Sequence, residues 1–212
     1  ERGYIDNAKI KKEKYQYIDE LVTTINEYND ILALWIKMKQ GTLSLNIETF
    51  DLNELFELLG KGRRAFEMKN QKLEIEPTTV MVKADRALTL FMINTLAENA
   101  RKYTPEGGTI KVYARTMDAY VEISVEDNGR GISEEDVARI IGEKVYDSRV
   151  IGMKNVADPE VLKENKGSGF GLMNCKGIIE KYKKTNELFR GCVFDVEREG
   201  KPFLFSFAFG SA

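Results

Sequence analysis

NTLAENARKYTPEGG, residues 94 to 108, begins as a helix and ends as a loop, and the rest of the chain can be placed around that change. Asp85 is a helix N-cap, and Leu96, Ala97 and Ala100 recur at helical spacing. Thr104, Pro105, Gly107 and Gly108 then break the pattern. A helix is therefore expected through Asn94 and Asn99 to about Tyr103. Thr95 and Asn99 are four apart and Lys102 is three further on, so their polar groups share one side. An amide oxygen suits magnesium and a lysine suits a phosphate, although such a face taken alone also reads as plain solvent exposure.

Downstream, Thr109 to Thr116 and Tyr120 to Glu126 alternate as the two strands of a hairpin, with a tight turn at Asp118. The sequence DNGRG, 127–131, follows. Asp127 ends the strand with a carboxylate that can accept a hydrogen bond from an exocyclic amine such as that of adenine. Its glycines let backbone approach a planar ligand, and the bland alternative is a glycine turn with an Asx cap. Ser133 and Asp136 open a short helix to about Ile141, and residues 142–166 show no sustained period, which reads as a mobile lid. GSGFGL, 167–172, opens a helix from about Gly171 to Lys183, where bare amides and the positive helix end favour phosphate. Its spacing is not that of a P-loop or a dinucleotide fingerprint. Strands at Cys192 to Glu199 and Phe203 to Phe209 close the chain.

Upstream, Tyr15, Ile18, Leu21, Ile25, Tyr28, Leu32 and Trp35 recur at three and four, which predicts one amphipathic helix from about Ile10 to Met38, about 45 Å long. Gly41 is its expected stop. Its stripe calls for a partner helix from this or another chain, or for packing along the downstream domain. Asp51 with Glu54 makes a capping box, and Phe50 with Leu55 a staple, for a helix to about Met68. Strands around Leu73 to Glu76 and Thr79 to Lys83 follow. The expected class is α+β: a two-layer α/β sandwich with a mixed, mostly antiparallel sheet and helices on one face, preceded by a long amphipathic helix. The expected division is 1–45 and 46–212.

Composition narrows the function classes. The 212 residues carry a formal charge of −2, with 42% hydrophobic and 31% charged residues, ordinary for a soluble globular chain. That balance disfavours nucleic acid as a partner, and the basic run KIKKEK, 9–14, reads as a solvated helix face. The chain contains no histidine, and Cys175 and Cys192 lack metal-ligand spacing, so both are expected reduced and inert. No apolar stretch is long enough for a bilayer, so no membrane contact and a cytoplasmic location are expected, and the start at Glu1 suggests a piece of something longer.

With these motifs in order, the stretch from about Asn46 to Phe209 resembles the catalytic, ATP-binding domain of bacterial sensor histidine kinases, within the superfamily shared with DNA gyrase and MutL repair proteins. The helix from Ile10 to Met38, running into Gly41-Thr-Leu-Ser-Leu and Phe50-Asp-Leu, resembles the second helix of their dimerisation and phosphoacceptor domain. The resemblance implies ATP and Mg²⁺ as ligands. It implies Asn99 as the metal ligand, Lys102 at the phosphates, Tyr103 near the nucleotide, and Asp127 on the adenine amino group in a pocket shaped by Gly129 and Gly131. Gly167, Gly169 and Gly171 would frame the lid hinge and phosphates, with Leu172 buried behind. It also implies a response-regulator receiver domain as partner and a homodimer through the N-terminal helix.

The chain departs from the family pattern in three places. Thr95 stands where the family often has asparagine, and where hydrolysing relatives have a glutamate base, which favours phosphoryl transfer over hydrolysis. Glu98 is expected to pair with Lys102 on the helix surface. The lid motif is reduced to Val145-Tyr146-Asp147, with Arg149, Lys154 and Lys166 as candidates for the γ-phosphate. The phosphoaccepting histidine is absent. The expected function is transfer of the γ-phosphoryl group to a histidine outside these residues, and the rival expectation is a non-catalytic nucleotide-sensing and dimerisation module.

Overall fold

The structure, a computed structural model, describes residues 15, 18, 22, 26, 29, 33, 34, 36–38, 40–117, 120–129, 131, 170–185, 189, 194–197 and 203–210. The chain divides into two compact units, 1–43 and 44–212. In the first, helix α1 is helical at every described position from 15 to 38. It stops as its glycine predicts: Gly41 takes φ +69°, its N–H donates to Met38 O (3.1 Å), and the Thr42 N–H donates to Lys37 O (2.9 Å). Tyr15 and Ile18 of the expected stripe are exposed, while Leu21, Ile25, Tyr28, Leu32 and Trp35 lie outside the described residues.

The second unit starts with strand β1 (Ile47–Asp51), pairing antiparallel with β3 (Met81–Asp85) in a sheet of its own. Sequence reading places no strand at β1. Asp51 ends it and caps α2 (Leu52–Lys61), accepting from Asn53 N–H at 2.8 Å. Glu54 reaches Arg86 at 3.0 Å, a partner on another helix, in place of the expected return to the cap. The helix expected to run to Met68 is broken at Gly62, whose N–H turns back to Leu59 O, and resumes as α3 (Arg63–Glu67).

The main sheet has five strands in the order β2 (Lys72–Ile75), β4 (Thr109–Thr116), β5 (Tyr120–Asp127), β7 (Phe203–Gly210) and β6 (Phe194–Glu197). β2 pairs parallel with β4, and the other pairings are antiparallel. Register separates its faces. Ile110 and Val112 stand opposite Asp127 and Val125 on the buried side, while Lys111 and Arg115 stand opposite Glu126 and Glu122 on the other. Helices α4 (Arg86–Tyr103) and α5 (Phe170–Thr185) supply the second layer. Met92, Ile93, Leu96, Ala97 and Ala100 of α4 are buried at three-and-four spacing, each larger side chain worth about 1.5–3 kcal/mol. The architecture is thus the expected sandwich with a mixed, mostly antiparallel sheet. No helix among the described residues is long and apolar enough to cross a membrane.

Candidate functional site

The C-terminal half of α4 gathers the chemistry. Asn99 is half-buried there and its side chain makes no hydrogen bond to the described residues. Glu98 pairs with Arg101 through Nη2 at 2.7 Å and Nε at 2.8 Å, not with Lys102 as expected. The forked guanidinium reaches one carboxylate oxygen twice, which a single ammonium cannot match. Lys102 therefore has no carboxylate partner among the described residues, and its Nζ lies 5.5 Å from the centre of the half-exposed Tyr103 ring. Burial holds its pKa below the usual lysine value, and nearby Lys69 adds to the depression. An ammonium that is part-buried and unpaired with a carboxylate is suited to an anionic ligand.

Asp127 ends β5 on the core side of the sheet and is buried. Its Oδ1 accepts from the Gly129 N–H at 2.8 Å. Desolvation raises its pKa, opposed by that N–H and by the Thr104 hydroxyl, and Glu126 adds to the rise. The Thr104 hydroxyl is buried beside the carboxyl yet has no partner of ordinary hydrogen-bond geometry. Gly129 must stay small: a Cβ there would lie 2.7 Å from Asp127 Oδ1 and 2.9 Å from Tyr103 O. Gly131 takes φ +74°, a conformation glycine adopts without strain. The Asp127 turn and the end of α4 are thereby pressed together.

The third motif meets the same helix. A Cβ at Gly171 would lie 2.8 Å from Thr95 Cγ2, so α5 crosses α4 closely at that point. Cys175 of α5 is fully buried and free, and desolvation pushes its thiol far above the usual range, with nearby Thr95 acting the other way. Leu172 is buried, as expected. Gly167, Gly169, the Ser133 to Ile141 helix, the lid with Val145, Tyr146 and Asp147, the candidates Arg149, Lys154 and Lys166, the Asp118 turn and Cys192 lie outside the described residues.

Around Asp127 the chain offers a carboxylate acceptor, glycine walls and an unpaired amide and ammonium one helix-end away, a donor set that fits an adenine nucleotide with one bound divalent cation. Among the described residues no three His, Cys, Asp or Glu side chains gather to hold a metal, so oxygen ligands from phosphates would have to complete its shell. The sequence marks Thr104 and Gly108 only as parts of a helix stop and does not single out Gln71. The signal for Thr104 was its place two residues before the glycine pair's turn, and Gln71 carries none.

The family described as "Histidine kinase-, DNA gyrase B-, and HSP90-like ATPase" matches residues 84–208. The signal transduction histidine-protein kinase BaeS of Escherichia coli K12 is 29% identical over 161 residues, covering 75% of this chain and 32% of its own length. The chain therefore spans about a third of that relative. Among solved structures, the Acinetobacter baumannii histidine kinase AdeS aligns with a TM-score of 0.62 at 19% identity over 90% of this chain and 80% of its own. The catalytic domain of histidine kinase ThkA aligns at 0.56 and 25% identity over 78% of this chain and 98% of its own, and ThkA has also been solved in complex with response regulator protein TrrA.

Proposed function

The chain belongs to the family of histidine kinase-, DNA gyrase B- and HSP90-like ATPases, and on that premise we propose that it is the ATP-binding catalytic part of a sensor histidine kinase. It transfers the γ-phosphoryl group of ATP to a histidine outside these 212 residues, since they contain none. In the transfer a histidine nitrogen forms the bond to γ-phosphorus as the bond to the β–γ bridging oxygen breaks, leaving ADP. Asp127 accepts the adenine amino hydrogen, with Gly129 and Gly131 shaping the slot. Lys102 meets the phosphates, and Asn99 ligates the cation. Bound Mg²⁺ supplies charge neutralisation on the phosphate oxygens. Gly167, Gly169 and Gly171 meet the phosphates. A receiver-domain aspartate of a response regulator takes the phosphoryl group onward. In this reading the N-terminal helix forms a homodimer in the cytoplasmic part of a longer sensor.

The observation that carries this reading is the convergence of the Asp127 turn and the Gly171 helix on α4, whose Asn99 and Lys102 have no carboxylate or hydrogen-bonding partner among the described residues. The threonine at position 95 supports transfer over hydrolysis, because it cannot serve as the base that hydrolysing relatives carry there. Calorimetric titration with a non-hydrolysable ATP analogue, with and without Mg²⁺, tests the site. Mg²⁺-dependent binding that Asp127→Ala abolishes is the expected result, and a wild-type chain that binds no nucleotide overturns the reading. Phosphorylation of a histidine-bearing helix hairpin supplied in trans tests the transfer.

A further inference from the structure

The loop between α3 and β2, outside all the motifs, is stitched to the loop that follows α4. Lys69 Nζ donates to Arg101 O at 3.0 Å, the Gly107 N–H donates to Asn70 O at 3.0 Å, Asn70 Nδ2 donates to Glu106, and the Lys72 N–H donates to Gly108 O at 2.9 Å. At its centre is Gln71, only 4% exposed, whose Nε2 donates to Arg101 O at 3.0 Å and to Thr104 O at 2.5 Å. Its Oε1 is buried with no hydrogen-bond partner among the described residues. A glutamine that leaves one buried oxygen unsatisfied contributes little net stability, and what it supplies is geometry at the carbonyls it holds. Those carbonyls belong to the C-terminal turn of α4 and its cap residue Thr104, whose N–H closes on Ala100 O at 2.9 Å.

Thr104 then faces the site. Its hydroxyl stands beside Asp127. Its Cα would lie 3.3 Å from a Cβ at Gly129, and its methyl fills the space above Gly108. On the far side, Asn128 Oδ1 accepts from the Thr109 N–H at 2.8 Å, which ties the Asp127 turn to the start of β4. We propose that Gln71 is a positioning residue for the adenine-recognising carboxylate of Asp127, acting through Thr104. The inference rests on the nucleotide site described under Proposed function and adds to it a specificity determinant from a separate element. Gln71 touches no ligand. It sets where Thr104, and hence the Asp127 carboxyl, stands relative to the 6-amino group.

The test compares two probes on the whole chain: a non-hydrolysable ATP analogue and its inosine counterpart, which lacks the 6-amino group. Wild type is expected to prefer the adenine probe. Gln71→Met keeps the side chain's length and removes both donated bonds, and should weaken the adenine probe about tenfold while leaving the inosine probe unchanged. Thr104→Val should reproduce that loss of selectivity and Thr104→Ser should restore it. If Gln71→Met does not fold, Gln71→Asn, which withdraws the amide by one methylene, carries the same expectation. Equal weakening of both probes would mark Gln71 as merely structural and overturn the proposal, as would an unchanged preference. A wild type that binds neither probe would instead remove the nucleotide reading itself, and this inference with it.

Discussion

The two ends of helix α4 are built in opposite ways. At its start the buried Asp85 has every polar group engaged: Oδ1 accepts from the Leu88 N–H at 3.0 Å, Oδ2 from the Asn46 N–H at 2.8 Å, its own N–H donates to Tyr182 Oη at 2.6 Å, and its carbonyl accepts from Thr89 Oγ1 at 2.8 Å. At its end Thr104 Oγ1 and Gln71 Oε1 are buried without hydrogen-bond partners, and Lys102 without a carboxylate, among the described residues. The start ties β1, α4 and α5 into one core. The end keeps polar capacity in reserve at the place where the Asp127 turn arrives. Unsatisfied buried groups lower stability, so this end of α4 is held less firmly than its start.

The contrast can be broken first at its strong end. Asp85→Ala removes acceptors for two backbone N–H groups and is expected to cost about 3 kcal/mol in chemical denaturation. If the loss were below about 1 kcal/mol, the start of α4 would not be the anchor described.

At the weak end, Asp127→Asn is expected to cut adenine-nucleotide affinity about tenfold while leaving neutral-pH stability the same or higher. The sign follows from burial. Desolvation, helped by Glu126 and opposed by Gly129 and Thr104, raises the folded pKa of Asp127, so the native chain holds that proton more tightly than the unfolded one. Its contribution to stability is full below the unfolded pKa and is lost as pH rises through the folded value. Unfolding measured from acid to neutral pH should show that decline in wild type and its removal in Asp127→Asn. Nucleotide affinity runs the other way, because the charged carboxylate is the better acceptor, and should fall as pH drops through the same raised value.

The smallest effect sharpens the contrast. Lys102 is held below its ordinary pKa by desolvation and Lys69. Its charge therefore opposes folding at neutral pH, and stability rises as pH climbs through the lowered folded value. Lys102→Met is expected to leave stability unchanged or slightly improved while weakening nucleotide binding about threefold to tenfold by titration. A clear loss of stability would mean the lysine has a structural partner after all.

Much of the fold was legible locally. Asp51 and Asp85 as caps, Gly41 as a stop, and the alternation through β4 and β5 each depend on residues within a turn or a strand of one another, so spacing alone locates them. β1 was not legible. IETFD, 47–51, becomes a strand because Val82 and Ala84 pair with Phe50 and Glu48 across more than thirty residues. The single α2–α3 helix read from apolar spacing fails at Gly62, where a backbone turn to Leu59 O intervenes. Glu98 was matched to the wrong cation, since i,i+3 and i,i+4 partners are equally near in sequence and the guanidinium fork decides between them.

The order of the motifs, the element that carries each, and the chemical classes of Asn99, Lys102 and Asp127 were determined by the amino-acid sequence, because helix and strand periods and glycine punctuation are local properties. Only the tertiary structure decided that Gly171 packs against Thr95 and Gly129 against the end of α4, and that Gln71 holds the turn behind Thr104. Those facts depend on which distant surfaces meet when apolar area is buried, and a meeting between residues far apart in the chain leaves no mark in the spacing of either.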